Sequence, residues 1–412
     1  MTESHPRFEY NWIEDVEDLS KYKPGDYHPI MFGDKLNNYR YHILNKYVAL
    51  KVHVASHPPT DTKILKALSD PSLSQPPGYN LIPAILDEFE VHGPNGTHTC
   101  HATTLAACSL QDLKWNHVLP LELARALAYG LVLAVSYVHS QGYAHGDLQL
   151  SNVLLKFSSN IAIDQLYEKY GKPETIPITR SNGEPLPDDM PTQAVQSLFL
   201  GKSMDDLTIA EAQLILSDFG EAFAPASETR LGEDCNIPQA FRAPEAKFEP
   251  NPPISYPSDI WSLATAIWGI MGMKTMFSSK WATEDEVASQ QVDVLGPMPA
   301  ERYSTWEGRS QFWDEDGNST DYHKRNKWRP LGDELLEDCV QEWRRRKGWE
   351  EIAEDEKIAF VGLIRMMMKF RPEERPTADE VLEDEWMVKW ALPDYKRSLE
   401  DSSEQGEHAS AH

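Results

Sequence analysis

The sequence predicts an α+β fold in which a small β-rich region precedes a larger, mainly helical region. Apolar and polar residues alternate with the period of a strand between residues 47 and 105, and turn residues interrupt the pattern at 92–96. From residue 121 the apolar residues recur with the helical period, and the segment 260–271 is apolar nearly all round. Strands first and helices later indicate α+β rather than alternating β and α units.

Composition and charge limit the classes of function. The chain has 412 residues, of which 41% are apolar and 25% charged, as is usual for a globular protein. The net charge of −26 repels nucleic-acid phosphates and anionic membranes and would attract basic proteins. The longest apolar run, 126–138, is shorter than the roughly 20 residues that cross a bilayer. We expect an intracellular protein of the cytoplasm or nucleus, a monomer that binds neither nucleic acid nor membrane.

The β-rich region is predicted to contain three strands and a short helix. The strands are expected at 47–52, 84–91 and 97–105, and the helix at 61–68. In the first strand Ala49 and Lys51 share one face.

The helical region begins with a helix from Leu121 to the Gln-Gly pair at 141–142, which is a typical helix end. Two short strands, 148–157 and 212–217, flank a long polar segment rich in proline and glycine. The polar residues from 394 to the end predict a disordered tail.

The first chemical motif has the sequence HGDLQLSN and occupies residues 145–152. Phosphoryl transfer needs a carboxylate that orients the attacking hydroxyl and accepts its proton, and an amide or carboxylate oxygen that holds a metal ion. Asp147 and Asn152 lie five residues apart on one predicted loop. Both side chains could therefore point into one cleft.

The second motif, LILSDFG at 214–220, places Asp218 at the end of a predicted strand and before a flexible glycine. A carboxylate in this position could chelate the Mg²⁺ that bridges the phosphates of ATP.

Three further motifs follow in order: APE at 243–245, SDIWSL at 258–263 and RPT at 375–377. Together the five motifs resemble the protein-kinase family over about residues 39–393. The resemblance implies a bilobal fold, ATP and Mg²⁺ as cofactors, and transfer of the γ-phosphate to Ser or Thr of proteins. It also implies an N-terminal extension, a small lobe, a large lobe with two inserts, and a tail. Their expected bounds are 1–38, 39–110, 111–393 with inserts at about 158–211 and 280–350, and 394–412.

The matching positions imply roles for individual residues. Asp147 would be the catalytic base, and Asn152 and Asp218 the metal ligands. Gln149 stands where the family has a lysine, which removes a positive charge near the transferred phosphate.

Lys51, in the sequence VALKV at 48–52, matches the lysine that contacts the α and β phosphates. Ala49 on the same strand face would lie near the adenine. Asp61 stands where a helix glutamate pairs with this lysine; because it is one methylene shorter, we expect a stretched ion pair.

Three matching positions imply structural roles. Glu245 and Arg375 match a buried ion pair of the large lobe, and Asp259 matches the carboxylate that holds the catalytic loop. Gly146 replaces the arginine that contacts a phosphorylated activation loop in many kinases, so we expect no such switch; Ser227 and Thr229 are then bystanders.

Other features narrow the resemblance. Phe241-Arg242 before the APE motif and the insert at 280–350 resemble the CMGC group of kinases. The long segment between Asn152 and Asp218 and the opening sequence YNWIEDVE resemble the SR-protein kinases, in particular those of filamentous fungi. This resemblance implies protein substrates rich in Arg and Ser, which the acidic charge would suit.

The sequence departs from the family at the Gly-rich loop, because no G-x-G-x-x-G pattern precedes Lys51. One explanation is a deletion in an otherwise active kinase, and the retained Lys51, Asp147, Asn152 and Asp218 favour it. The alternative is a pseudokinase that binds basic proteins without turnover. A small-molecule kinase of the aminoglycoside or choline type has a similar catalytic loop, but the three later motifs argue against it.

The remaining histidines and cysteines carry no metal-ligand spacing, so we expect structural or surface positions for them. These residues are His98, His101, His117, His139, Cys100, Cys108, Cys235 and Cys339.

Overall fold

The computed structural model describes most of the chain. The described residues are 9–31, 33–37, 41–42, 48–56, 59–70, 75–114, 117–157, 163–203, 206–248, 253–278 and 281–410.

Regular elements alternate with short 3₁₀ turns along these residues. The strands are β1 (Lys35–Leu36), β2 (Tyr41–His42), β3 (Val48–Val52), β4 (Ile85–Gly93), β5 (Gly96–Thr104), β6 (Ala106–Ser109), β7 (Val153–Lys156), β8 (Thr175–Pro177), β9 (Gln193–Val195), β10 (Leu214–Leu216), β11 (Arg230–Leu231) and β12 (Pro253–Ile254). The helices are α1 (Thr60–Leu68), α2 (Leu110–Leu113), α3 (Leu121–Ser140), α4 (Ile163–Tyr170), α5 (Glu245–Phe248), α6 (Tyr256–Met271), α7 (Glu284–Leu295), α8 (Ala300–Thr305), α9 (Asp321–Asn326), α10 (Asp333–Leu336), α11 (Glu342–Lys347), α12 (Glu354–Met367), α13 (Ala378–Leu382) and α14 (Leu392–Ser410).

The chain divides into two compact units. Unit 1 consists of Met1–Lys66, Pro83–Ala107 and Phe157–Gly201, and unit 2 consists of the rest. Unit 1 holds a three-stranded antiparallel sheet, whereas unit 2 holds most of the helices. The predicted α+β fold class is confirmed.

The main sheet of unit 1 has the strand order β3-β5-β4. The predicted hairpin is present, since β4 and β5 pair up to Gly93 opposite Gly96. Lys51 of β3 is paired with His101 of β5. Val48 and Leu50 pack with the buried Ala102 on one face, as the alternation predicted, and this leaves Lys51 exposed.

The segment 157–201 belongs to unit 1, which corrects our assignment of residues 158–211 to the large lobe. It packs on the N-terminal segment that we had set apart as an extension: Leu19 and Tyr22 form one core cluster with Ile178, Met190 and Ala194. Backbone hydrogen bonds join the same two segments. Polar composition had suggested an insert in the large lobe, but these few apolar residues determine where the segment packs.

Unit 2 is built on α3 and α6. Every residue of α6 from Ser258 to Met271 is buried, as the all-round apolar pattern predicted. The α3 helix has 20 residues and is long and apolar enough to cross a membrane, which the shorter run 126–138 did not suggest. In this structure 72% of its most apolar window is buried, the pattern of a core helix.

The tail is helical up to Ser410, which corrects the expectation of disorder from residue 394. Helix α14 lies along α3: the Tyr395 ring is 5.0 Å from the Tyr129 ring, and Ser398 is fully buried. The Gln213 side-chain amide donates to the Ser398 carbonyl at 3.2 Å. Tertiary contacts on one face therefore hold a helix whose composition is polar.

The tryptophan-rich segment 280–350 forms short helices around its own aromatic core in unit 2. Trp306 is 2% exposed and packs with Phe248 and Phe312, while its indole N–H donates to Asp285 at 2.7 Å. Trp281, in contrast, is fully exposed. Most of this aromatic surface serves packing.

Candidate active site

The HGDLQLSN loop follows α3 in unit 2 and leads into β7. Strands β7 and β10 pair antiparallel with Val153 opposite Leu216, so the loop lies beside the end of β10 and the Asp-Phe-Gly sequence. The HGDLQLSN motif before β7 and the Asp-Phe-Gly motif after β10 therefore lie at neighbouring strand ends, next to the two strands that the sequence predicted.

His145 joins the two motifs at the centre of this site. The ring is fully buried, its Nδ1 accepts from the Asp147 backbone N–H at 3.2 Å, and its Nε2–H donates to the Ser217 carbonyl at 3.0 Å. Burial lowers the pKa of His145, so the ring is neutral and needs the Nε2–H tautomer to satisfy both bonds. It also packs on the Phe219 ring, with centroids 4.8 Å apart.

Gly146 has a backbone conformation that other residues rarely adopt, with φ at +76°. A Cβ there would lie 2.4 Å from the Glu221 carbonyl oxygen. An arginine could not occupy this position without moving the activation segment. Glu221 is instead contacted by Arg230, whose guanidinium donates to its carbonyl at 2.8 Å and to its carboxylate at 3.2 Å.

Asp259 on the first turn of α6 anchors the loop from below. Its carboxylate accepts from the backbone N–H groups of His145 at 2.7 Å and Gly146 at 3.0 Å, and from His139 Nε2 at 2.9 Å. His139, for which we expected a surface or core position, is thus a third donor to this carboxylate.

Another buried carboxylate of unit 2 is equally well satisfied. Glu245 and Arg375 form a bidentate ion pair with distances of 2.7 and 2.6 Å, and Ser258 donates to the same carboxylate at 2.8 Å. Both residues are buried, as the motif comparison implied.

The Asp147 carboxylate is held by two neutral amides. Gln149 Nε2 donates to both of its oxygens, at 2.9 and 3.1 Å, and Asn152 Nδ2 donates to Oδ2 at 2.8 Å and to the Asp147 carbonyl at 2.9 Å. No cation takes the place of the family's lysine among these contacts. These contacts fix the orientation of the carboxylate.

Asn152 is also linked to the second motif. The Ser217 backbone N–H donates to the Asn152 carbonyl at 2.8 Å, and the Ser217 hydroxyl donates to it at 3.0 Å. Asp218 follows directly, with a positive φ of 58° and an exposed side chain. Asn152 uses its NH₂ group for Asp147, and its Oδ1, which accepts from the Ser151 hydroxyl at 3.4 Å, has a second lone pair for a metal ion. Asn152 Oδ1 and the Asp218 carboxylate are therefore a donor set that suits Mg²⁺.

Within unit 1, Lys51 Nζ lies 2.8 Å from Asp61 Oδ2, which corrects the expectation of a stretched ion pair. The shorter side chain reaches because Asp61 is the second residue of α1, close to the strand, and its other oxygen accepts from the Thr62 N–H at 2.7 Å. Asp61 is 3% exposed, whereas the Lys51 side chain is 43% exposed. Ala49 lies two residues away on the same strand and is half-buried.

Sequence reasoning missed a second group of residues around Asp61. His53 Nε2 lies 3.0 Å from His101 Nδ1 and 3.4 Å from Asp61 Oδ1, and the Thr62 hydroxyl lies 3.1 Å from His101 Nδ1. Burial lowers the pKa of His101 to about 4, so this ring is neutral near pH 7. The cluster could have been predicted only from the pairing of β3 with β5, because this register sets Lys51 opposite His101.

The structure thus brings the predicted residues together in two sets. Asp147, Gln149, Asn152 and Asp218 lie together in unit 2, and Lys51, Ala49 and Asp61 lie together in unit 1. The position at which the Gly-rich loop would be expected, between Asn45 and Lys46, lies outside the described residues.

Comparison with known proteins agrees with this geometry. The sequence profile of the protein kinase domain matches residues 204–387. Serine/threonine protein kinases from two strains of Aspergillus fumigatus are each 25% identical to this chain over 410 residues, with 90% of both chains covered. SRSF protein kinase 3 of Homo sapiens is 29% identical over 172 residues, which is 34% of this chain and 30% of the human protein.

The similarity extends to a nematode protein, the serine/threonine-protein kinase spk-1 of Caenorhabditis elegans. It is 30% identical over 172 residues, which is 35% of this chain and 17% of that protein. The profile, the relatives and the paired motifs of unit 2 agree on one family. Residues 204–387 match the protein kinase domain, and over most of its length the chain is similar to serine/threonine protein kinases, in keeping with its α+β fold.

Proposed function

We propose that this chain transfers the γ-phosphate of Mg·ATP to Ser or Thr of proteins rich in Arg and Ser. The observation that carries the proposal is the Asp147 carboxylate, which Gln149 and Asn152 hold by three hydrogen bonds beside the Asp-Phe-Gly sequence. A carboxylate so fixed can accept a hydrogen bond from a substrate hydroxyl and take its proton.

The neutral donors matter for this role. A lysine beside Asp147 would lower the basicity of the carboxylate, whereas amide donors orient it with less effect on its charge. Gln149 in turn supplies no positive charge to the transferred phosphate. We therefore expect Asp147 to accept the proton of the substrate hydroxyl, and groups other than Gln149 to stabilise the charge of the transferred phosphate.

Asn152 and Asp218 would hold the metal ion. When bound, Mg²⁺ neutralises charge on the phosphates and fixes their orientation. Lys51 would contact the α and β phosphates, and its pairing with Asp61 at 2.8 Å limits where its ammonium group can lie. Ala49 would lie near the adenine.

Acidic surface supports the choice of a basic substrate. A cavity of 430 Å³ in unit 2 is lined by five carboxylates and two cations. The acidic residues are Asp333, Glu334, Glu337, Asp338 and Glu342, and the cations are Arg329 and Lys357. Together with the net charge of −26, this surface would favour a guanidinium-rich peptide.

We further propose that the protein acts as a monomer inside the cell, in the cytoplasm or nucleus. The four cysteines support a reducing compartment, because all of them are free thiols.

One observation favours a second function, a binding module without turnover. No glycine lies between Gly33 and Lys51, so the sequence has no Gly-rich loop there whose backbone N–H groups could bind the phosphates. The acidic surface could bind basic proteins without this loop.

Labelled phosphate transfer to an Arg-Ser repeat peptide separates the two functions. The proposal predicts transfer to this peptide, little transfer when Gln replaces each Arg, and loss of transfer in Asp218→Asn. Peptide binding without transfer would favour the binding module. Insertion of a Gly-rich hairpin before Lys46 then shows whether the chain otherwise retains the machinery for transfer, because only a complete site would gain activity.

A further inference from the structure

Two histidines and an aspartate converge in unit 1 outside the residues that the proposed reaction uses directly as base or metal ligands. His53, Asp61 and His101 each offer one ligand atom, and these atoms lie within 4.8 Å of one another. His101 and Asp61 are each 3% exposed, and the His53 side chain is 11% exposed. Buried imidazole and carboxylate groups in this arrangement are the usual ligands of Zn²⁺.

Two of the three distances between the ligand atoms are close to those around a small tetrahedral ion. With zinc–ligand bonds of about 2.0–2.1 Å, neighbouring ligand atoms of a tetrahedron lie roughly 3.3–3.4 Å apart. His53 Nε2 lies 3.4 Å from Asp61 Oδ1 and 3.0 Å from His101 Nδ1. If the two rings moved apart by a few tenths of an ångström, the distance between the two nitrogens would match that of a tetrahedral zinc site.

Three different elements hold these ligands in place. His53 follows β3 and its N–H donates to the Thr99 carbonyl at 3.0 Å, which extends the pairing with β5. His101 lies within β5, and Asp61 lies on the first turn of α1, where its Oδ1 accepts from the Thr62 N–H. The site therefore needs little ordering when it binds an ion.

We propose that His53, Asp61 and His101 bind one divalent transition-metal ion of the Zn²⁺ class. Imidazole nitrogens select such ions over Mg²⁺, which prefers oxygen ligands. The Thr62 hydroxyl lies 3.1 Å from His101 Nδ1, 3.5 Å from His53 Nε2 and 3.4 Å from Asp61 Oδ1, so its oxygen stands at the fourth corner of the tetrahedron and would complete the ligand set.

A metal ion would replace the direct contact between the two rings. His53 Nε2 and His101 Nδ1 now lie 3.0 Å apart, and a metal between them would be bound by the lone pair of each nitrogen. Asp61 is already an anion in its ion pair with Lys51.

The metal and Lys51 share one carboxylate. Asp61 faces Lys51 with Oδ2 and His53 with Oδ1, so a metal on Oδ1 withdraws electron density from the ion pair. This consequence rests on the proposed function: if Lys51 contacts the phosphates, metal binding alters its position and lowers the rate of transfer. Metal binding itself does not depend on that function.

Titration of the metal-free full chain with Co²⁺ tests the site without any assay of activity. Tetrahedral Co²⁺ absorbs far more strongly in the visible range than octahedral Co²⁺, and thiolate ligands add a near-ultraviolet band that a His₂Asp site lacks. We expect one Co²⁺ per chain with the tetrahedral spectrum, no thiolate band, and displacement by one equivalent of Zn²⁺.

The variants His53→Gln and Asp61→Asn should each weaken Co²⁺ binding by at least about tenfold. His92→Gln is the matched control, because His92 lies exposed on the adjoining hairpin and should bind as the unchanged protein does. Circular dichroism checks that each variant is folded. Zn²⁺ should raise the melting temperature of the unchanged protein and of His92→Gln, but not that of His53→Gln or Asp61→Asn. Absence of the tetrahedral spectrum, or equal affinity in folded His53→Gln, overturns the proposal.

Discussion

At the scale of single residues, the HGDLQLSN loop differs from the kinase pattern that it resembles where the structure imposes a different contact. Gly146 stands in the left-handed region with the Glu221 carbonyl 2.4 Å from where a Cβ would be. Gln149 uses its amide to orient Asp147 rather than to add positive charge. The motif was sufficient to predict which residues gather here. It could not predict the hydrogen bonds of His145, because they depend on a tautomer and on burial.

Gly146→Ala should destabilise unit 2 by more than the cost of the backbone conformation alone. A non-glycine residue at positive φ costs about 1–2 kcal/mol, and the close contact with Glu221 adds to it. Gly142→Ala is the matched control, because Gly142 has φ at +85° but no atom within 4 Å of the added Cβ. Denaturant unfolding followed by tryptophan fluorescence should show the larger loss for Gly146→Ala; equal losses would contradict the contact.

Asp259→Asn should cost about 1–3 kcal/mol of stability, because an amide cannot accept from all three N–H groups that now donate to the carboxylate. Burial by itself raises the pKa of Asp259, but the hydrogen bonds from His139 and the loop outweigh it and lower the pKa below the ordinary value.

A depressed pKa gives this contribution a definite pH dependence. The stabilisation is complete above the unfolded-state pKa of about 3.9 and is lost as the pH falls through the lower folded-state value. The difference in melting temperature between the unchanged protein and Asp259→Asn should therefore be constant from about pH 8 to pH 5 and shrink below about pH 3.9. A difference that grows on acidification would contradict the assigned charge.

At the scale of elements, periodicity predicted those that carry their own apolar pattern. The β4–β5 hairpin, α3 and α6 lie where alternation or the helical period placed them. Helix α14 was missed because its own residues are mostly polar, and what stabilises it is α3, a long way off in sequence. Such pairings are not visible in a local window of sequence.

Tyr395→Ala should loosen α14 from α3 and cost about 2 kcal/mol, since it removes a half-buried ring that packs on Tyr129. Arg397→Ala provides the control on the same helix. Its ion pair with Glu122 is nearly half-exposed at both ends and should contribute less than about 1 kcal/mol. Limited proteolysis of the tail should accelerate in the tyrosine variant alone; equal protection would contradict packing by this ring.

At the scale of the whole molecule, the order of motifs predicted the family, but the domain bounds depended on long-range contacts. The segment 157–201 joins unit 1 through Ile178, Met190 and Ala194, few residues in a long polar stretch. The His53–Asp61–His101 cluster likewise required the β3–β5 register and the position of α1 together. Neither the packing of this segment nor the cluster can be predicted from the spacing of residues along the chain.

The net charge of −26 predicts a salt-dependent preference for basic substrates. Raising the ionic strength shortens the Debye length, which is about 10 Å at 0.1 M, and weakens attraction between an Arg-rich peptide and the acidic surface. The KM for an Arg-Ser peptide should rise several-fold between about 0.05 and 0.3 M salt, with little change in kcat. A peptide with Gln at the Arg positions is the control. A KM independent of salt would contradict electrostatic recognition.

The central claim is that Asp147 acts as the base in phosphate transfer, and its direct test is transfer of labelled phosphate from Mg·ATP to an Arg-Ser peptide. The rate should fall at least about a hundredfold in Asp147→Asn, because loss of general base catalysis costs about 10²–10⁴-fold. Asp316→Asn, at an exposed position, should leave the rate unchanged. If the folded Asp147→Asn protein transfers phosphate as fast as the unchanged chain, the account is contradicted.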